Sequence, residues 1–433
     1  MRRAWRNFDR NMIGSRLRSR WMEASMKLLL SFLMVLLPLQ GFASAEASPA
    51  TTADRAQAVE GNTAFALALY GRLRTQPGNL FFSPESISTA LAMTYAGARG
   101  DTAAEMAKTL HFTLPPDRLH PAMGALLNGL NAPHDAYQLS VANALWAGQD
   151  YKFRDDFLKL TASNYGAGFH PVDFKGAAEA ARLTINQWVE EKTANKINDL
   201  LQPGTVTPLT RMVLTDAIYF KADWQAQFQK AQTEDENFYL STERKNVKAP
   251  LMHRSGGYSY FDGGTFQVLE LPYKSGEMSM IVFLPRDMDG LPAFEQSLTA
   301  PALQQYLGRL QFVPRVFVTF PRFKVTEQLE LGNTLGAMGM PKAFDRNAAD
   351  FSGMTGNREL SLSAVIHKAF IDVNETGTEA AAATAAVMVG MAMRAPDPTP
   401  PPEFRADHPF LYLIRDNRSG GILFMGRVSD PTK

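Results

Sequence analysis

The 433-residue chain contains no cysteine, which excludes disulfides, thiolate metal sites and a cysteine nucleophile. It also lacks an excess of either charge. Its 44 Lys and Arg stand against 43 Asp and Glu, a balance that offers nothing to nucleic acid or an anionic lipid surface. Motifs that carry common chemistries are missing too. There is no G-x-S-x-G elbow to anchor a hydrolase triad and no glycine-rich phosphate loop. The seven His include no H-E-x-x-H and no pair at helical metal-ligand spacing. No catalytic set, metal site or cofactor site is therefore expected.

What is present is a large core. Apolar residues make up 45% of the chain, with 28 Phe among them, which argues against disorder. The first 25 residues carry seven Arg against Asp9 and Glu23. Lys27, an apolar run from Leu28 to Leu37 and Gly41-Phe42-Ala43-Ser44-Ala45 follow. A basic start, a short apolar stretch and an A-x-A end compose a secretory signal with cleavage after Ala45, and the stretch is too short for a membrane span. Residues 1–45 are read as N-terminal extension and signal peptide, and 46–433 as a single domain. Without 1–45 the chain keeps 36 Lys and Arg against 41 Asp and Glu, mildly acidic. It is expected to be exported, secreted or periplasmic, and free of the membrane.

The N-terminal third reads as mainly helical. Ser83-Pro84 starts a helix through Ile87 and Leu91, because Ser caps free N–H groups and Pro fits the first turn. Thr102-Ala103-Ala104-Glu105 has the form of a capping box opening another helix. A third helix runs through Leu183, Ile185, Trp188 and Val189. Strands come later. Phe266–Pro272 and Met278–Leu284 flank a turn, Val316–Phe320 ends at Pro321, and Phe410–Ile414 turns back into Ile422–Met425. Helices first and strands afterwards predict an α+β fold.

Residues 374–403 fit neither class. They run from Asn374-Glu375-Thr376-Gly377-Thr378-Glu379 through Ala380–Ala383 to a proline-rich stretch, and so long a loop in a compact domain marks function. One reading is an Ala-rich helix and a linker. The other is a strand held outside its sheet. As a strand, Thr378, Ala380, Ala382, Thr384, Ala386 and Met388 would share one face, with nothing larger than Thr before Met388.

Several blocks now line up with one family. They are Asn79–Met93, Asn143-Ala144-Leu145-Trp146, Ile185–Val189, Ala217–Lys221 with Trp224, Phe351–Met354, Ile366–Ala369 and Asp407–Leu411. In this order the sequence resembles a serpin over about residues 55–432. The resemblance implies an α+β serpin fold with three β-sheets, eight or nine helices and an exposed reactive loop at about 375–403. It implies an inhibitor that catalyses nothing. A serine protease cuts the loop, and the cut loop enters the central sheet and traps the acyl-enzyme. The hinge would be Glu375, Gly377, Thr378, Glu379, Ala380, Ala381, Ala382, Ala383 and Thr384, with Glu375 paired to Arg322. The family's spacing places the reactive bond at Met391-Ala392. A longer stretch beyond it leaves Met393-Arg394 and Arg394-Ala395 open. Met at the bond favours an elastase-, chymotrypsin- or subtilisin-like serine protease as partner of a monomeric inhibitor, with no nucleic acid involved. The alternative is a non-inhibitory serpin acting as a binding or chaperone-like protein. The resemblance also groups Ser83, Asp216 and His367 where the sheet opens. Asp216 stands where relatives usually carry Asn, and a charged hydrogen bond to His367 would make opening pH-dependent.

Overall fold

The computed structural model describes residues 49–132, 134–166, 168–240, 245–378 and 400–433. The signal region and residues 379–399, with the reactive bond and the hinge from Glu379 to Thr384, lie outside them. Helix α1 (Thr52–Leu73) opens on a capping box in which Thr51 and Asp54 satisfy each other's backbone N–H groups. Strand β1 (Leu80–Phe82) leads into α2 (Pro84–Tyr95). As expected, Ser83 starts this helix, its Oγ accepting from the Ser86 N–H at 3.2 Å.

Helix α3 (Gly100–Thr109) corrects the sequence reading. It begins two residues before Thr102 with no side-chain cap, because the Thr102 hydroxyl accepts instead from the Asp350 N–H at 2.9 Å. Next come α4 (Pro116–Asn131), β2 (Tyr137–Gly148), α5 (Asp155–Tyr165), β3 (Phe169–Val172), α6 (Phe174–Lys192) and β4 (Met212–Asp223). In α6, Ile185 and Val189 are buried but Leu183 is 54% exposed, so the apolar stripe is narrower than its sequence suggests.

Strands dominate the remainder. They begin with β5 (Thr233–Tyr239), β6 (Asn246–Asp262) and the expected hairpin of β7 (Phe266–Pro272) and β8 (Met278–Pro285). Helices α7 (Leu291–Ser297) and α8 (Ala300–Gly308) precede β9 (Gln311–Pro321) and β10 (Phe323–Glu330). Short helices α9 (Gly332–Met338) and α10 (Ser352–Thr355) lead to β11 (Leu362–Val373) and the two-residue β12 (Gly377–Thr378). The chain ends with β13 (Glu403–Arg405) and the hairpin of β14 (Phe410–Asp416) and β15 (Ile422–Val428).

The fold is α+β. Its six-stranded sheet runs β10-β11-β12-β4-β2-β3. A nine-stranded sheet runs β1-β15-β14-β8-β7-β6-β9-β13, with β5 on β6. Two of the three expected sheets are joined here through one strand. The start of β6 pairs with β5, whereas its end pairs with β7. Phe220, Tyr412, Phe323 and Phe424 share a core with residues of both sheets. A separate cluster holds Val213, Ala217 and Ile366 of the six-stranded sheet under Ile185 and Val189 of α6.

Candidate functional site

The six-stranded sheet has a joint at its centre. Strands β11 and β4 lie parallel and directly paired from Leu362 and Met212 to Phe370 and Tyr219. Beyond that point they part, and β12 fills the gap antiparallel to both, with Val373 opposite Thr378 and Gly377 opposite Asp223. The turn that brings β12 back is tight. The Asn374 N–H donates to the Gly377 carbonyl at 2.9 Å, and the Thr376 N–H to Asn374 Oδ1 at 3.0 Å.

Only glycine fits the first position of β12. A Cβ on Gly377 would lie 2.1 Å from the Ala222 carbonyl oxygen and 2.6 Å from the Asp223 Cα, both backbone atoms of β4 that cannot step aside. Thr378 is fully buried and shares a 2.7 Å hydrogen bond with the Tyr273 hydroxyl. Trp224 stacks on Tyr273 with centroids 4.6 Å apart, and its Nε1 donates to the Asn374 carbonyl at 2.9 Å. Its backbone N–H holds the Thr376 carbonyl at 2.8 Å. Glu375 is buried, accepts from the Thr233 hydroxyl at 2.7 Å and meets Arg322 Nε at 3.4 Å. The expected Glu375–Arg322 pair is therefore present, between a buried carboxylate and a half-exposed guanidinium.

Further down the joint, His367 and Asp216 are opposed in register and almost completely excluded from solvent. The Ser83 N–H donates to His367 Nε2 at 3.2 Å, so Nε2 is an acceptor and the ring proton sits on Nδ1. Nδ1 in turn donates to Asp216 Oδ1 at 2.8 Å. The structure thus brings together Ser83, Asp216 and His367, and the expected hydrogen bond exists. Asp216 Oδ2 is buried and finds no donor among the described residues. Asn143, opposite Asp216 on β2, exchanges hydrogen bonds with the Ser86 hydroxyl and carbonyl at 2.9 and 3.0 Å. The start of α2 is thereby pinned to strands on both sides of Asp216.

Sequence reasoning missed Tyr273, Thr233, Asn374 and Asn143, and did not assign Trp224 a role here. Asn143, Thr233, Tyr273 and Trp224 find hydrogen-bond partners 57 to 150 residues away, so no local spacing signals those contacts, whereas Asn374 also closes a local turn onto Thr376. His408, two residues before β14, has its Nε2 2.6 Å from the Pro285 carbonyl. The far limb of the loop resumes at 400. The Phe317 N–H holds the Pro402 carbonyl at 3.0 Å, and β13 lies parallel to β9. No group of three His, Asp or Glu among the described residues could hold a metal ion. No helix among them is long and apolar enough to cross a membrane.

Comparison with known proteins gives the family. The family model described as "Serpin (serine protease inhibitor)" matches residues 60–431. Human leukocyte elastase inhibitor is 42% identical over 379 residues, covering 86% of this chain and 98% of its own. Serpin B6 of Macaca fascicularis is 41% identical, covering 86% and 99%. Among solved structures, uncleaved ovalbumin superposes with a TM-score of 0.77 at 30% identity, covering 87% of this chain and all of its own. Human thyroxine-binding globulin in complex with thyroxine reaches 0.79 at 32%, covering 88% and 100%. The chain belongs to the serpin family.

Proposed function

We propose that the protein inhibits serine proteases and is consumed in doing so. A target protease attacks the loop between 378 and 400, and the freed N-terminal limb enters between β11 and β4 while the acyl-enzyme persists. The observation that carries this reading is the register of β12. Continuing its pairing with β4 sets Met388 opposite Met212, the first residue of that 12-residue strand. Continuing its pairing with β11 sets Val389 opposite Leu362, the first residue of that 12-residue strand. Both neighbours run out where a strand begun at Gly377 has used up its small residues. The two extrapolations also agree with each other. Each places Thr384 opposite its flanking strand, at Asp216 on one side and His367 on the other, and those two are themselves direct partners.

Insertion therefore exchanges one set of contacts for another. Thr384 would arrive where His367 now reaches Asp216, with a hydroxyl able to serve both. Ala380, Ala382 and Ala386 would share the face of buried Thr378. The other face passes beneath α6, which packs on Val213 and Ala217, and there Ala381, Ala383 and Ala385 follow the hinge residue Glu379. A strand of ~12 residues paired on both edges at about 1 kcal/mol per net hydrogen bond is worth on the order of 10 kcal/mol. That gain is what would outrun hydrolysis of the acyl-enzyme.

The reactive bond is proposed at Met391-Ala392, just beyond the inserting segment, with Met393-Arg394 and Arg394-Ala395 as alternatives. An apolar Met there suits an elastase-, chymotrypsin- or subtilisin-like protease, and relatives named leukocyte elastase inhibitor support the elastase kind. Incubation with elastase, chymotrypsin, subtilisin and trypsin tests the reading, with denaturing gels and the mass of the released C-terminal peptide. An adduct that survives denaturation supports it. Complete loop cleavage by all four with no adduct selects the non-inhibitory binding or chaperone-like alternative. Export is a separate proposal that rests on the Arg-rich, apolar and A-x-A segments of residues 1–45. A mature N-terminus at Glu46 on protein recovered outside the cytoplasm supports it.

A further inference from the structure

Helices α1 and α4, the first turn of α2 and the turn between β14 and β15 enclose a cavity of about 410 Å³. Its walls are largely apolar, with Val59, Leu126, Leu130 and Leu423 among them. Two acids interrupt them, Asp416, which Arg418 already holds, and Glu85. Glu85 lines the cavity and is 5% exposed. Its Oε2 accepts from the Asn62 side chain, whereas Oε1 is buried with no partner among the described residues. A buried carboxylate oxygen left bare costs a large part of its hydration.

The other charges facing the cavity do not answer it. Arg418, from the β14–β15 turn, is already held by Asp416 at 3.0 Å and by the Tyr137 hydroxyl at 3.1 Å. Arg55, on α1, is exposed, and among the described residues its Nη2 reaches only the Thr52 hydroxyl, at 3.3 Å. The wall from α4 carries no charge. Burial, with Asp416 adding repulsion, pushes the Glu85 carboxyl up to about 7, against the hydrogen bond from Asn62 that lowers it. The start of α2 favours the ionised form through its unpaired N–H groups. The cavity therefore presents an apolar body-shaped space ending in one unpaired acceptor that is anionic above neutrality. A carboxylate ligand would meet Glu85 and Asp416 with like charge. A neutral hydroxyl would satisfy the oxygen but not the charge.

We propose that this cavity binds a small primary amine with an apolar, aromatic-sized body, its ammonium donating to Glu85 Oε1. Cavities of this volume and lining are typical of small-molecule sites. The site is separate from the sheet joint and stands whether or not the protein inhibits a protease.

Calorimetric titration of the full chain with 2-phenylethylamine, 2-phenylethanol and phenylacetate at pH 6 and pH 8 tests the proposal. The amine should bind at least about tenfold more tightly than either analogue. Its affinity should rise about tenfold between pH 6 and pH 8, because it stays protonated while Glu85 ionises. Glu85→Gln should remove that pH dependence. Leu126→Trp, which fills the space without touching the carboxyl, should abolish binding and decides the matter if the Glu85 variant does not fold. Equal binding of phenylacetate, amine affinity indifferent to both substitutions, or no binding at millimolar amine would each overturn the proposal.

Discussion

His367 Nδ1 donates to Asp216 Oδ1 at 2.8 Å between directly opposed residues of the parallel strands β11 and β4. The bond lies at the height where a strand continuing from β12 would place Thr384, so the sheet cannot admit that strand with the bond intact.

Removing the bond should therefore act on one state only. Asp216→Ala leaves a buried Nδ1–H unpaired, and about 2 kcal/mol of stability should be lost from the uncleaved protein. The loop-cleaved form should melt almost unchanged, since its His367 would already have another partner. Differential calorimetry on both forms checks this, and equal losses would place the bond outside the opening step. Asp216→Asn keeps an acceptor for Nδ1 but removes the charge. Inhibition rates of this variant and of the natural protein, compared under one set of conditions, should differ, and equal rates would place the charge of Asp216 outside the opening step.

The first inserted residues offer a more drastic test. Gly377→Val would drive a side chain into the backbone of β4, and Thr378→Arg would bury a guanidinium where Thr378 now meets Tyr273. Either change should leave the loop cleavable while slowing entry into the sheet. The expected outcome is partition toward hydrolysis: more inhibitor turned over per protease trapped, read as a rise in stoichiometry with little change in the rate of loop cutting.

Cutting the loop should harden the molecule. A gain on the order of 10 kcal/mol in a domain of this size corresponds to a melting temperature higher by about 12 °C. Limited proteolysis followed by a thermal scan measures it, and a nicked form that melts with the intact one would contradict insertion.

Two buried groups oppose one another in the pH dependence of stability. Burial pushes the Glu85 carboxyl up to about 7, so from pH 4.5 to 7 the folded state holds a proton that the unfolded state has lost, and this contribution falls as pH rises. Burial, and the Arg99 charge behind it, lowers His120 to about 4. Between pH 4 and 6.5 the unfolded state holds the extra proton, and that contribution rises with pH. The two slopes cancel from about pH 4.5 to 6.5. Glu85→Gln should uncover the histidine, giving a stability that climbs through this window and exceeds that of the natural protein above pH 7, by up to about 3 kcal/mol. Urea titrations at pH 5, 6 and 8 read the change directly.

How far the sequence foretold this depends on where each residue finds its partner. Ser83 caps α2 from within the same turn, and the β7–β8 and β14–β15 hairpins join neighbouring segments, so all three were legible. The pattern at Thr102–Glu105 was as good a helix start as that at Ser83, yet Asp350 claims the Thr102 hydroxyl from far along the chain. Strand β9 begins at Gln311, before the apolar stretch from Val316, because its exposed first residues hydrogen-bond to β6 and need no burial. The small-residue alternation after Gly377 pointed to an inserting strand, and resemblance supplied Glu375 with Arg322 and the Ser83, Asp216 and His367 group. The cover of Trp224 and Tyr273 over the top of the joint, and the bare carboxylate of Glu85, follow from tertiary packing that no period in the sequence records.

One arrangement bears on the order in which the sheet forms. Strands β14 and β15 lie between β1 and β8 inside the nine-stranded sheet, and Tyr412 and Phe424 are sealed within its core. Among the described residues β1 pairs with β15 alone, and the edge of β8 turned away from β7 is covered by β14. Until residues 410–428 are in place, an early element therefore has no neighbour in that sheet and β8 keeps an open edge.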